Sequence, residues 1–338
     1  MTKISVIGCG RWGPNHIRNF NSLPDCMVIA VVDIQQDRLS RISKMFPGIC
    51  VERDYRRVLD DPSVEAVVVA TPTNTHYEIV RAALLAGKQV LCEKPICTTS
   101  REAQELIEVA DEKKLTLMVG HVFLFNSGIL KLKELVEAGE LGKIHYLSAV
   151  RTNLGPVRTD VNAAFDLASH DIAIFNWLLG STPNLVSAIG ASFLQNNIED
   201  VVFISLKYPN EVFANIQASW LDPKKIRKIS IVGSKKMATW DDLELNSPVA
   251  IYDKGANAQQ EYNNFGEFLH INMWDGDVRL PKVHMEEPVK TQDRHFLDAI
   301  RNGAVHHSDG RFALGIIRVL EAVSDSMRGY GTPVRVKE

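Results

Sequence analysis

This sequence predicts an α/β domain on a parallel, doubly wound sheet, followed by an α+β domain with a large, mostly antiparallel open sheet. Three observations carry the prediction. The first 120 residues alternate short β-branched runs with helical patterns, a glycine-rich turn directly follows the first run, and after His121 the runs become consecutive with turn-length connections. At 338 residues the chain exceeds one ordinary core, so two domains are expected, 1–120 and 121–338.

The strands of the first domain read as "KISVIG", "MVIAVVD", "EAVVVATP", "QVLCEKP" and "LTLMVG". Helical patterns separate them, which implies parallel strands with helices on both faces. Thr99 with Glu102 forms a capping-box pattern ahead of "AQELIEVADEKK", and Asn74 is an expected N-cap for "THYEIVRAALLAG". Beyond His121 come a helix over about 127–138, the strand "KIHYLSAVRTN", and a long helical pattern over about 163–179. The runs "NLVSAIGASF", "DVVFISLKYP", "EVFANIQASW", "IRKISIVGS" and "KMATWDD" then follow one another closely, as antiparallel strands do. Helical patterns over about 290–302 and 311–328 end the chain and are candidates to pack back on the first domain.

Composition narrows the partners. Hydrophobic residues make up 45% and charged ones 23%, and 38 basic against 41 acidic residues leave a net charge of -3 with no dense basic run. Neither nucleic acid nor a membrane surface is expected, which leaves a small molecule or another subunit. The N-terminus enters an apolar strand at Ile4 without a signal-like segment, and no stretch reaches the ~18 apolar residues of a membrane span, so a cytoplasmic protein is expected. Five cysteines (Cys9, Cys26, Cys50, Cys92, Cys97) are an odd number without zinc-type spacing; reduced thiols and no metal site are expected.

"IGCGRWG" places Gly8, Gly10 and Gly13 in a G-x-G-x-x-G set between a strand and a helical segment. Glycines there let the backbone reach a pyrophosphate at a helix N-terminus, whose open N–H groups and dipole favour the anion. Arg11 and Trp12, inside the loop, are candidates with them. The second strand ends in Asp33, twenty residues past Gly13, the spacing at which a carboxylate meets the adenosine ribose hydroxyls. A carboxylate repels a 2'-phosphate, so NAD is favoured over NADP; Arg38, nearby, complicates the preference. In "VATPTNTHYE", Thr71, Pro72, Asn74 and His76 would line the same crevice, although His76 by itself reads as structural.

The stretch "QVLCEKPI" runs from a buried strand into Glu93, Lys94 and Pro95. A surface turn is one reading, and a lysine held where parallel sheets place their ligands is the other. "AFDLASHDIAIFNWLLG" carries Asp166 and His170 four residues apart, expected on one helix face with Asp171 turned away. A histidine in an apolar helix is more often a core residue than a catalyst, and its carboxylate partner tilts the balance toward chemistry.

Taken in order, the glycine motif, Asp33, "ATPTNTH", "EKPI" and "DLASHD" resemble the glucose-fructose oxidoreductase and inositol dehydrogenase (Gfo/Idh/MocA) family over nearly the whole chain. The resemblance implies a Rossmann domain, then an α+β domain whose open sheet forms the interface of a homodimer or homotetramer. It makes Lys94 the lysine beside the nicotinamide and matches Asp166 and His170 to the family's acidic residue and histidine, in an NAD-dependent dehydrogenase. "RWGPNHIRNF", "GHVFLFNSG" and "SWLDPKKIRKISIVGSKK" are similar to the branch acting on sugar nucleotides for surface polysaccharides. That similarity implies a 3-dehydrogenase of UDP-N-acetylglucosamine or its uronic acid. His121, Asn126, Arg151 and Arg158, with Lys225 and Arg227, are substrate candidates beside Lys94, Asp166 and His170. A dehydrogenase of free inositols or simple sugars, and a non-catalytic NAD-binding regulator, remain the alternatives.

Overall fold

The computed structural model describes residues 1–263, 266–303 and 307–337, which form two compact units: 1–125 with 286–321, and 126–285 with 322–338. The first unit begins β1 (Thr2–Ile7), α1 (Gly13–Asn21), β2 (Cys26–Val32), α2 (Gln36–Met45), β3 (Cys50–Glu52), α3 (Tyr55–Asp60) and β4 (Ala66–Val69). It continues with α4 (His76–Leu85), β5 (Gln89–Glu93), α5 (Ser100–Lys113) and β6 (Leu117–Gly120). All pairings are parallel, in the order β3-β2-β1-β4-β5-β6. Val67, Val68 and Val69 of β4 are fully buried, as a strand covered by helices on both faces requires. The order reverses between β1 and β4, so the ligand crevice of this sheet lies at the carboxyl ends of those strands.

Two local expectations change. β3 is a sixth strand, three residues long and too short to show a period. Asn74 does not cap α4: it lies exposed in a 3-10 turn, Thr73–Thr75, and Thr75 stands at the N-cap position without a side-chain cap bond to the helix. The Thr99 cap holds, its hydroxyl accepting from the Glu102 N–H at 3.3 Å.

The second unit opens with α6 (Ser127–Glu137), β7 (Ile144–Leu154) and α7 (Ser169–Leu179). Its sheet adds β8 (Leu185–Ala191), β9 (Val201–Lys207), β10 (Phe213–Ser219), β11 (Leu221–Gly233), β12 (Met237–Asp241), β13 (Val249–Asn263) and β14 (Gly266–Arg279). After α8 (Pro288–Asn302) and α9 (Gly310–Arg328), β15 (Val334–Arg335) closes the edge, giving the order β14-β13-β12-β11-β7-β10-β9-β8-β15. The sheet is antiparallel except where β10 runs parallel to β7. β13 and β14 lie in a polar stretch without the β-branched runs that mark the other strands, and their pairing appears only in the fold.

Among the described residues no helix is long and apolar enough to cross a membrane. All five cysteines are free thiols, with only Cys50 exposed.

Candidate active site

Five sequence landmarks follow five strands of the first sheet at its carboxyl edge: Gly8 after β1, Asp33 after β2, Thr71 after β4, Lys94 after β5 and His121 after β6. Each therefore faces the crevice side, and the short βα turns hold them there.

The glycine loop is built for close approach. Gly8 has φ +104°, and a Cβ on it would stand 2.5 Å from the Ala70 carbonyl oxygen at the end of β4. A Cβ on Gly13 would stand 2.0 Å from the Gly8 carbonyl oxygen, so the helix start packs directly on the loop. Gly10 is open, with nothing nearer its missing Cβ than Arg38 Nη1 at 3.7 Å. Trp12 at the N-cap makes no side-chain cap bond, and the first turn of α1 has no acidic residue. Pro14 carries no N–H and those of Asn15 and His16 reach the Trp12 carbonyl, so what the helix offers a diphosphate is its uncompensated positive end and the N–H at Gly13. Arg11, exposed, has its guanidinium 6.0 Å from the Trp12 ring centre.

Asp33 is buried, and its carboxylate accepts from Cys9 N–H at 2.8 Å (Oδ2) and Gln35 N–H at 2.9 Å (Oδ1). Arg38 Nη1 stands 3.4 Å from Oδ2. These bonds fix the carboxylate's position at the end of β2, where a ribose diol finds its acceptor. The cradle, the uncapped helix and the aspartate together fit NAD.

His76 is held from both sides. Its Nδ1 lies 2.7 Å from the Pro95 carbonyl oxygen and its Nε2 2.8 Å from that of Thr71, and the side chain is buried. Carbonyl oxygens only accept, so whichever ring nitrogen carries the proton donates to one of them. His76 braces the Thr71 and Lys94 turns against each other. Thr71 Oγ1 also accepts from Thr75 Oγ1 at 2.8 Å, while Pro72 is exposed.

At the Lys94 turn, whose Lys94–Pro95 peptide is cis, the lysine is half-buried between buried Glu93 and Pro95. His121 is buried and packs edge-to-face on Phe312 at 5.9 Å, and neither ring nitrogen has a hydrogen-bond partner among the described residues. Burial first, and then the charge of Lys94, lowers its pKa to about 3, so it is neutral. An unpaired buried imidazole at a ligand-binding edge is a polar group with capacity to spare.

His16, inside "RWGPNHIRNF", is a site residue that sequence spacing does not mark. It is fully buried in α1, with Nε2 3.1 Å from Glu93 Oε1 and Nδ1 2.8 Å from Asp293 Oδ1 of α8. The only local signal is a polar ring on the buried face of an amphipathic helix.

In the second unit, residues 164–168 form a π turn that leads into α7. The four-residue spacing of Asp166 and His170 therefore crosses a π turn and not the regular α-helix expected. Such insertions recur at functional sites because they re-aim side chains. The Asp166 carboxylate accepts from Arg158 Nη1 at 3.3 Å and from buried Trp220 Nε1 at 3.1 Å. Asp171 is turned inward, onto Arg151.

Three of the expected substrate contacts, Arg151, Asn126 and Arg158, are each bonded to side chains or N–H groups of the second unit. Arg151 is 1% exposed, its guanidinium committed to Asp171. Asn126 is buried and caps α6, its Oδ1 accepting from Gly128 and Ile129 N–H while its Nδ2 donates to Asp242. Arg158 is held by Asp160 as well as Asp166, so it shapes the acidic residue's surroundings. Arg227 Nη1 pairs with Asp242 at 2.9 Å, and Lys225 is exposed.

Residues 2–121 match the Gfo/Idh/MocA oxidoreductase family profile described as an NAD-binding Rossmann fold, and residues 129–239 match the Gfo/Idh/MocA C-terminal domain. Myo-inositol 2-dehydrogenase of Thermotoga maritima is 28% identical, with 92% of this chain and 93% of that one covered. UDP-N-acetylglucosamine 3-dehydrogenase of Acidithiobacillus ferrooxidans is 28% identical, with 75% and 78% covered. A solved structure under that name from the same organism covers 97% of this chain and 98% of its own, with a TM-score of 0.81 at 24% identity. An oxidoreductase of Bacillus subtilis, YrbE, is 30% identical, and this chain spans 66% of its length.

Proposed function

This chain belongs to the Gfo/Idh/MocA oxidoreductase family, with an NAD-binding first domain, and from that premise we propose that it moves hydride between a sugar's secondary alcohol and NAD. In this reading the substrate is a UDP-linked N-acetylglucosamine or its uronic acid, oxidised at carbon 3, and the enzyme is cytoplasmic and serves polysaccharide synthesis. The observation that carries the reading is Lys94 at the carboxyl edge of β5, one strand beyond the β1–β4 reversal of a parallel sheet. The relative from Acidithiobacillus ferrooxidans and the sequence segments similar to the nucleotide-sugar branch support the UDP-sugar. The broad coverage of the Thermotoga relative favours free myo-inositol as the second reading.

The glycine loop, α1 and Asp33 would hold NAD, and bound NAD supplies the hydride acceptor. Lys94 brings an ammonium to the substrate oxygen, where negative charge develops, an interaction stronger in the transition state than in the ground state. The hydroxyl proton goes either to His170, since an imidazole needs little pKa adjustment to act near neutral pH, or to Lys94 where burial depresses its pKa. Asp166, fixed by Arg158 and Trp220, accepts a hydrogen bond from a substrate hydroxyl and orients the ring. His121, neutral and unpaired, offers a further donor or acceptor. The chain works as a homodimer or homotetramer through the second sheet, where Phe213 lies in register with Tyr146 and Phe203 with Ile189, all about half exposed or more.

NADH formation across UDP-sugars and inositols tests the reading. Turnover of UDP-N-acetylglucosamine or its uronic acid is expected; turnover of myo-inositol alone moves the assignment to the second reading. Lys94→Met should lower turnover ~100-fold or more while NAD still binds. Near-normal single-turnover rates in that variant would remove Lys94 from the chemistry.

A further inference from the structure

His16 sits in the first turn of α1, three residues past Gly13, with its ring fully buried. One nitrogen meets Glu93 at 3.1 Å and the other meets Asp293, also fully buried, at 2.8 Å. Glu93 then accepts from the Lys94 N–H through Oε2 at 3.3 Å. Gly120 makes room for that carboxylate: a Cβ there would stand 3.3 Å from its carbon. On the other side His16 stacks on Phe20 at 6.3 Å, and Phe20 meets Phe296 edge-on at 6.4 Å, so apolar rings wall that side of the imidazole.

Two carboxylates facing one buried ring satisfy both contacts when the ring carries both protons. Burial alone would lower the pKa of His16; the charge of Asp293, and the hydrogen bonds that the ring donates to Asp293 and Glu93, raise it to about 10. A buried ion cluster is a poor stabiliser compared with apolar packing, because desolvation offsets most of the attraction. What it supplies is a fixed geometry. Here that geometry ties the helix whose N-terminus suits the diphosphate to the backbone of the lysine turn.

We propose that His16 is a positioning residue for Lys94: an imidazolium clamped between Asp293 and Glu93 that sets the Lys94 turn against α1, and so against the cofactor. The inference rests on the catalytic reading of Lys94. It makes no demand on substrate contact by His16, which is sealed from solvent.

The test uses the full chain with ¹⁵N-labelled histidine, and the variants His16→Gln, Asp293→Asn and Lys94→Met. At pH 8 one histidine should show both ring nitrogens protonated through contacts with carboxylates, and its signal should vanish in His16→Gln. A neutral His16 in the wild-type protein overturns the proposal whether or not any variant folds. In single-turnover NADH formation with the sugar that the wild type oxidises, His16→Gln should lose about 10-fold or more in rate at saturating NAD, with NAD affinity changed less than about 3-fold. The primary deuterium isotope effect should rise as hydride transfer becomes slower. Asp293→Asn should lie between wild type and His16→Gln, because it keeps a hydrogen-bonding group and removes the charge. A His16→Gln rate equal to wild type overturns the proposal, as does a rate loss that merely follows lost NAD affinity. Lys94→Met separates the two ideas: normal turnover there defeats the catalytic reading, whereas a severe loss beside an unaffected His16→Gln defeats only this inference. If no sugar is turned over, acetic anhydride labelling of Lys94 decides, and an unchanged labelling rate in both His16→Gln and Asp293→Asn overturns the proposal.

Discussion

Arg151 grips Asp171 through two bonds, Nε to Oδ2 at 2.8 Å and Nη2 to Oδ1 at 2.8 Å, with both side chains 2% exposed. The pair joins β7 to the first turn of α7, one residue from His170. Asp171→Asn leaves a buried guanidinium without its counter-charge, which should cost about 3–5 kcal/mol of stability. Arg151→Met with Asp171→Leu should cost clearly less than that single change, because no charge is left stranded. Urea denaturation of wild type and both variants checks this; equal losses would mean the pair is packing alone.

Asp33 governs the cofactor. Asp33→Ser removes the acceptor for the ribose and also the partner of the Cys9 and Gln35 N–H groups, and it frees Arg38, 3.4 Å away, for a 2'-phosphate. NAD should bind more weakly by ~1.5–3 kcal/mol, and the gap between NAD and NADP should narrow. Titrating both cofactors by fluorescence measures it. Wild-type protein binding NADP more tightly than NAD contradicts the assignment.

The thiols should divide sharply. Burial, and then nearby Asp33, raises Cys9 to about 12, and burial raises Cys26 and Cys97 to about 12 and Cys92 well above its ordinary value. Since the thiolate is the nucleophile, iodoacetamide at pH 8 should alkylate exposed Cys50 first and leave the other four slow. Peptide mass spectrometry reads this directly, and fast modification of Cys97 would be incompatible with its burial.

His16 should also mark the pH dependence of stability. Its pKa rises from the ordinary 6.5 to about 10 on folding, so the stability tied to its proton is present in full below 6.5 and is lost as pH climbs toward 10. The groups facing it are Glu93 on β5 and Asp293 on α8, the latter raised to about 6 by burial against the pull of His16; Cys26 on β2 feels Asp293 from behind. The melting temperature should fall between pH 7 and 10, and His16→Gln should flatten that fall. Parallel curves for the two proteins would dissociate His16 from it.

The sequence by itself determined the features that depend on neighbours along the chain. Gly8, Gly10 and Gly13 read as a phosphate loop because turn geometry is local, Asp33 by its distance from Gly13, and the strand-helix alternation by periodicity; the structure places Asp33 at the end of β2 as expected. Lys94 stood out because a charged pair before a proline is unusual at the end of a buried strand. The tertiary structure alone decided the pairings that cross the chain. His16 and Asp293 are 277 residues apart, and Arg151 is 20 from Asp171 on a different element; no spacing rule links such positions, since packing brings them together. The same reason sets Arg151 on Asp171 and Asn126 at the start of α6. It also hid the parallel β7–β10 pair, because strand order is settled by which faces must be covered, and that is a property of the assembled sheet.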